Sequence, residues 1–223
     1  LNQFILNFHG IGVPHAGVDA TERPYWISED FFASIVDAVL ARADADRISW
    51  TFDDGNRSDL TIGARLLAKH GLTGRFFLLT GRLNDPRYLS PEDAVTLTGM
   101  GMMLGLHGRD HVDWRKATPE QLYAETVGAR EALAIATGRT ISDVAIPFGA
   151  YDRRVIAHLK RLGFAHIYTS DGGPSRSDQR VKSRTSVRSD MTMERLMCLV
   201  DDRLPLSKRL RRAASTTVRR HLL

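Results

Sequence analysis

Short apolar runs alternate with amphipathic segments along nearly the whole chain, and this rhythm restricts the fold more than any other feature. Strand-like runs fall at 3–8, 48–52, 75–79, 102–106, 143–146, 165–169 and 181–187. The segments between them carry helix starts: Ser28 ahead of Glu29 and Asp30, Ser90-Pro91-Glu92-Asp93, and Thr118-Pro119-Glu120-Gln121 with the spacing of a capping box. Helices are expected over 28–42, 58–70, 118–138, 153–162 and 192–203, with Gly71, Gly138 and Gly163 as stops. Strands separated by helices pair in parallel with the helices outside, as a barrel or a doubly wound sheet. The chain has 223 residues, 43% of them hydrophobic, which suffices for one α/β domain of the larger kind. Residues 1–203 are read as that domain and 204–223 as a basic helix or tail.

The net charge of +5 would suggest a polyanion partner if it were spread over the body, but residues 1–202 hold 24 Lys or Arg against 26 acids. After Asp202 come seven Lys or Arg, no acid and no aromatic residue to stack a base. Nucleic acid is therefore not an expected partner; the tail reads first as a solvated basic helix, with contact with an anionic membrane surface as the sharper alternative. No apolar run approaches the roughly 20 residues that span a bilayer, and no charged-then-apolar leader opens the sequence. As given, the chain reads as a soluble domain, cytoplasmic or peripheral to a membrane, although Leu1 in place of Met leaves room for a trimmed leader. The single Cys198 excludes a disulfide framework and a multi-cysteine zinc site, and its helical apolar setting reads as a buried inert thiol. Oligomeric state is left open.

Polar residues cluster where the strand-like runs end. His9, Asp53-Asp54, His107 with His111, Pro147-Phe148-Gly149 and Asp171 each follow an apolar run directly. In a parallel barrel those ends share one face, where such barrels place their chemistry. His107 and His111 are four residues apart in a glycine-containing stretch, so both imidazoles can turn to one side. Two such nitrogens and one carboxylate make a three-ligand site with open positions, suited to a catalytic zinc or similar divalent ion. Of two adjacent aspartates, one can bind the cation while the other moves a proton.

Thr51-Phe52-Asp53-Asp54-Gly55, then His107 to His111 as H-x-x-x-H, then Pro147-Phe148-Gly149 resemble the successive motifs of the polysaccharide deacetylases, carbohydrate esterase family four. The resemblance covers roughly residues 4–190. It implies a distorted (β/α) barrel of about seven parallel strands and metal-dependent removal of acetyl groups from N-acetylated sugars. By motif match Asp53 is the general base, Asp54, His107 and His111 are the metal ligands, and the backbone N–H of Phe148 lines the oxyanion hole. The segment Asn7-Phe8-His9-Gly10 is similar to the opening of the branch that deacetylates poly-N-acetylglucosamine, in which the family's last motif is moved to the N-terminus. That similarity makes His9 the general acid, with Asp171 to orient it; His221, in the basic tail, is a poor alternative.

Two positions depart from the family pattern. Gly108 stands where a Ser or Thr normally ties the metal-binding loop down, so another group is expected to support it. Ala145 stands where an Arg normally pairs with the base, and Arg184, ahead of Arg109 and Arg188, is the expected replacement. Trp26, Trp114 and Tyr151 are candidate sugar platforms. Two rival readings share the barrel: a glycan-binding protein that has lost activity, and a hydrolase of cyclic amides.

Overall fold

A computed structural model of the chain describes residues 2–221, and of Ala213, Arg220 and His221 only the backbone. The imidazole of His221 thus lies outside the described residues. Seven parallel strands form a nearly closed barrel: β1 (Asn2–Phe8), β2 (Ile48–Phe52), β3 (Gly74–Leu78), β4 (Met103–Leu106), β5 (Asp143–Ala145), β6 (His166–Thr169) and β7, in two parts, Val181–Ser183 and Thr185–Ser186. The first part of β7 pairs with β6, Lys182 opposite Tyr168, and the second with β1, Leu6 opposite Thr185. Arg184 alone separates the two parts, so one short segment reaches both edges of the sheet. The arrangement is the distorted (β/α) barrel expected from the sequence.

Alternation along each strand divides the core in two. Leu6, Phe8, Trp50, Phe52, Phe76 and Leu78 face outward and join the buried helix residues in one large cluster. Ile5, Phe77, Ala145 and Tyr168 have the opposite parity and form a small separate cluster inside the barrel. Above that plug the same parity brings Asn7, Thr51, Asp53, His107 and Arg184 into the interior, all of them buried.

The helices start where their caps predict. Ser28 Oγ accepts from Phe31 N at 3.2 Å to begin α1 (Glu29–Leu40), and Ser90 with Asp93 closes a capping box on α3 (Pro91–Gly99). Two expectations change in detail. The helix expected from residue 58 opens as a π-turn, Asp59–Ala64, before α2 (Arg65–Lys69). The long helix after Thr118 is α4 (Pro119–Tyr123), a π-turn at Ala124–Gly128, and α5 (Ala129–Thr137), ended by Gly138 at φ 64°. α6 (Arg153–Arg161) and α7 (Met193–Val200) complete the body, and Cys198 on α7 is half-buried rather than buried. The basic tail is a helix, α8 (Leu206–His221). No helix among the described residues is long and apolar enough to cross a membrane.

Candidate active site

The turn after β2 sends its two carboxylates in different directions. Asp53 keeps the strand's inward parity and meets Arg184 head-on: Nη1 donates to Oδ1 at 2.6 Å and Nη2 to Oδ2 at 2.7 Å. Asn7 Nδ2 donates to the same Oδ2 at 2.9 Å, while Asn7 Oδ1 accepts from Arg184 Nη1 at 2.8 Å and from Thr51 Oγ1 at 2.9 Å. The guanidinium also lies 5.2 Å from the Phe77 ring centre and 5.8 Å from that of Tyr168. Burial pushes the Asp53 carboxyl up, but Arg184, then His107 and His9, outweigh it and hold it well below the usual carboxylate range. Of the three arginines weighed for the place of Ala145, Arg184 is therefore the one against Asp53. Arg188 pairs instead with Asp190 and Arg109 with Asp110, both at the surface.

Asp54 turns the other way because its backbone is left-handed, φ 77°. Its Oδ1 lies 3.6 Å from His107 Nε2 and 3.4 Å from His111 Nε2, and has no hydrogen-bond donor among the described residues. His107 Nδ1–H donates to the Ala145 carbonyl at 2.9 Å, which leaves Nε2 with its lone pair toward Asp54. His111 is fixed in the same sense by Glu22, whose Oε1 is 3.4 Å from Nδ1. One ligand atom from each of Asp54, His107 and His111 lies within 4.8 Å of the others. A buried carboxylate oxygen without a donor, faced by two imidazole lone pairs, fits a divalent cation. Burial drives His107 down to about 4 against the pull of Asp53 and Asp54, which keeps its imidazole neutral, the ligating form. Burial alone would lower His111 too, but Asp54 and Glu22 raise it.

The loop that carries these histidines is held by a residue with no counterpart among the sequence motifs. Glu125, buried in the π-turn between α4 and α5, accepts from the backbone N–H of Arg109 at 3.1 Å and Asp110 at 2.9 Å, and from Trp114 Nε1 at 3.2 Å. Its Oε2 lies 2.5 Å from where a Cβ on Gly108 would stand, and Gly108 has φ 102°. The missing hydroxyl and the buried glutamate are thus one arrangement, since a side chain at 108 would displace the carboxylate. Gly108→Ser is expected to cost about 1–3 kcal/mol through backbone strain and that clash, and Glu125→Gln about 1–3 kcal/mol by weakening the buried hydrogen bonds. Thermal unfolding checks both, and unchanged midpoints would exclude a loop-holding role. A carboxylate on the face that carries the buried Leu122, Ala129 and Leu133 is the sequence signal for Glu125. No such signal marks Glu22.

His9 follows β1, with Nε2 3.9 Å from Asp53 Oδ2 and its ring 4.8 Å from that of Tyr25. Burial pushes its pKa down, although Asp53 and Asp54 pull upward. Phe148 sits at φ 59° in the turn Pro147–Gly149, its side chain 59% exposed and its ring 4.2 Å from that of His111. Asp171 is not placed to orient His9 through Nδ1, which has no partner among the described residues. Its Oδ2 accepts from Tyr151 Oη at 2.7 Å and Thr169 Oγ1 at 2.9 Å, and its Oδ1 is 2.9 Å from Arg219 Nη2. The three candidate sugar platforms are packing residues: Trp26, Trp114 and Tyr151 are all buried. Asp59 is a further buried acid; neither oxygen has a partner among the described residues, and burial, then the charges of Asp54 and Asp53, raise it well above the usual range.

Three of the four described non-glycine residues with positive φ are Asp54, His111 and Phe148; the fourth is Asp202. Backbone strain of this kind is held in place only where the surroundings demand it.

Comparison with known proteins points the same way. The family model for polysaccharide deacetylase matches residues 41–167, more than half of the chain. The peptidoglycan-N-acetylglucosamine deacetylase PgdA of Listeria monocytogenes is 28% identical over 115 residues, which is 51% of this chain and 24% of that protein. The match therefore spans about a quarter of the curated relative's length. Among solved structures, the Streptococcus pyogenes deacetylase PplD in complex with acetate is 18% identical with a TM-score of 0.74, covering 90% of this chain and 98% of that one. IcaB from Ammonifex degensii is 20% identical with a TM-score of 0.72, over 89% and 97%. At these identities the two structures speak to the fold.

Proposed function

The chain belongs to the polysaccharide deacetylase family, and from that premise we propose that it is a metal-dependent hydrolase removing acetyl groups from the N-acetylated sugars of a glycan or glycoconjugate. The observation that carries this reading is the division of labour in the aspartate pair: Asp53 is bound to Arg184, while Asp54 Oδ1 is left for a cation beside two imidazole lone pairs. Asp54, His107 and His111 would hold the cation, with Zn²⁺ favoured by two nitrogens and one oxygen. When bound, the ion supplies Lewis acidity that polarises a carbonyl and acidifies water from a pKa of 15.7 to about 7.

The chain's own groups do the rest. Asp53, ionised throughout the neutral range, accepts a proton from the attacking water. The Phe148 N–H donates to the carbonyl oxygen as negative charge develops there. His9, beside the base, protonates the nitrogen as the C–N bond breaks, so that a free amine and acetate leave. The exposed Phe148 ring offers an apolar face to the acetamido group or sugar. The inactive-barrel alternative rests on the missing arginine at Ala145 and the missing loop tie at Gly108; Arg184 against Asp53 and Glu125 against the histidine loop support the active reading over it.

The test is acetate release from an N-acetylglucosamine oligomer. Chelation is expected to lower the rate at least about 10²-fold and Zn²⁺ to restore it, with His107→Ala and His111→Ala failing to retain metal on elemental analysis. Full turnover in metal-free protein would refute the metal reading, and turnover on a cyclic amide alone would favour the rival hydrolase.

A further inference from the structure

Helix α8 is packed the wrong way round for a soluble surface helix. Its contacts to the barrel run along Arg212, Thr216 and Arg219, which are half-buried. Arg212 Nη2 is 3.0 Å from Asp202 Oδ1 and Arg219 Nη2 2.9 Å from Asp171 Oδ1, so the inner seam is polar and ionic. At about 100° per residue, Leu206, Leu210, Ala214 and Val218 fall together on the opposite arc. Leu206 is 67% exposed and Leu210 61%. A helix that folds for burial alone puts such residues inward; here the barrel takes the arginines and the leucines are presented outward. Exposed Arg211 borders this arc on one side and Arg209, paired with Asp202, on the other, and no acid follows Asp202 in the chain.

We propose that the outer face of α8 docks on an anionic lipid bilayer surface. An apolar arc bordered by cations matches the boundary between acyl chains and anionic headgroups. A stripe this narrow is too small for a stable protein interface of roughly 1,200–2,000 Å², and without aromatic residues it has nothing to stack on bases. Because Arg219 pairs with Asp171 on the barrel rim and Arg212 lies against Gly173, the helix brings the folded domain with it. The last turn of α8 reaches Asp171 on the rim of the candidate site, so the bilayer comes to lie beside the mouth of the barrel.

The test does not use catalysis and stands apart from the proposed activity. The chain is sedimented with phosphatidylcholine vesicles, with and without phosphatidylglycerol, at low and raised salt. Binding is expected only to the anionic vesicles. It should weaken roughly tenfold or more in Arg211→Glu and fall beyond detection in Leu206→Glu/Leu210→Glu, with thermal midpoints of both variants at the parental value. Equal binding to neutral vesicles, or binding that survives Leu206→Glu/Leu210→Glu, would overturn the proposal. Self-association in the ultracentrifuge that disappears with the same leucine substitutions would assign the face to a second copy instead.

Discussion

Asp53→Asn is expected to lower the rate of acetate release by about 10²–10⁴-fold, the usual contribution of a positioned general base, while bound metal stays at the parental level. The expectation follows from the turn after β2. The substituted side chain keeps its volume among Asn7, Arg184 and Thr51, and Asp54, His107 and His111 all stay in place, with His107 Nε2 3.9 Å from the substituted Oδ2 position. What disappears is the carboxylate proposed to accept the proton. His9→Ala is the companion measurement, because His9 Nε2 lies 3.9 Å from the same carboxylate. Loss of the acid should be felt least with substrates whose leaving group needs no proton, such as activated esters. If Asp53→Asn turns over at the parental rate, the base lies elsewhere; if His9→Ala is slowed equally on esters and amides, His9 is not the acid.

Arg184→Met is expected to destabilise the fold by about 3–5 kcal/mol, because it leaves the Asp53 carboxylate buried and unpaired. For a chain of this size that is a fall in melting temperature of roughly 6–20 °C. The pH dependence gives the check. In the parent the Asp53 carboxyl is held below its ordinary value of 3.8. Its contribution to stability is therefore fully present above about pH 4 and is lost only as the pH falls through the depressed value. Without Arg184 that carboxyl rises, so the variant's deficit should be largest at neutral pH and shrink as the medium is acidified. Arg184→Lys, which keeps the charge but loses the paired hydrogen bonds, should fall between. A variant with the parental melting curve at neutral pH would show that the pair contributes nothing to the fold.

The barrel and the rim were legible because both follow from local chemistry. Parallel α/β order comes from the alternation of apolar runs and capped helices, and Asp53, Asp54, His107, His111 and Phe148 stand at strand ends that the fold must bring to one face. The supporting groups were harder to read because their roles depend on contacts between distant parts of the chain. Glu125 looks in sequence like a polar lapse on a helix face; only the π-turn at Ala124–Gly128 and the bare Gly108 bring it to the histidine loop. Asp171 misled for the opposite reason. Its position after β6 suggested a partner for His9, whereas its neighbours are Tyr151, Thr169 and, from the far end of the chain, Arg219. The aromatic residues Trp26, Trp114 and Tyr151 are, in sequence, candidates for platforms or for packing, and since large rings are more effective as core than as surface, all three are buried.

Arg184 stands between the two halves of β7, where the sheet's edges meet, and its partners Asn7 and Asp53 are 177 and 131 residues away along the chain. During synthesis the aspartate pair emerges long before the residue that neutralises it. A nascent chain can lay β1 beside β2 and still lack the counterion that lets Asp53 be buried, since loop-closing contacts of such length form late. Closure of the barrel and neutralisation of the Asp53 carboxylate are therefore a single event. Chains that stop short of β7 carry an incomplete site in an open sheet, marked by a stranded charge and an unpaired edge.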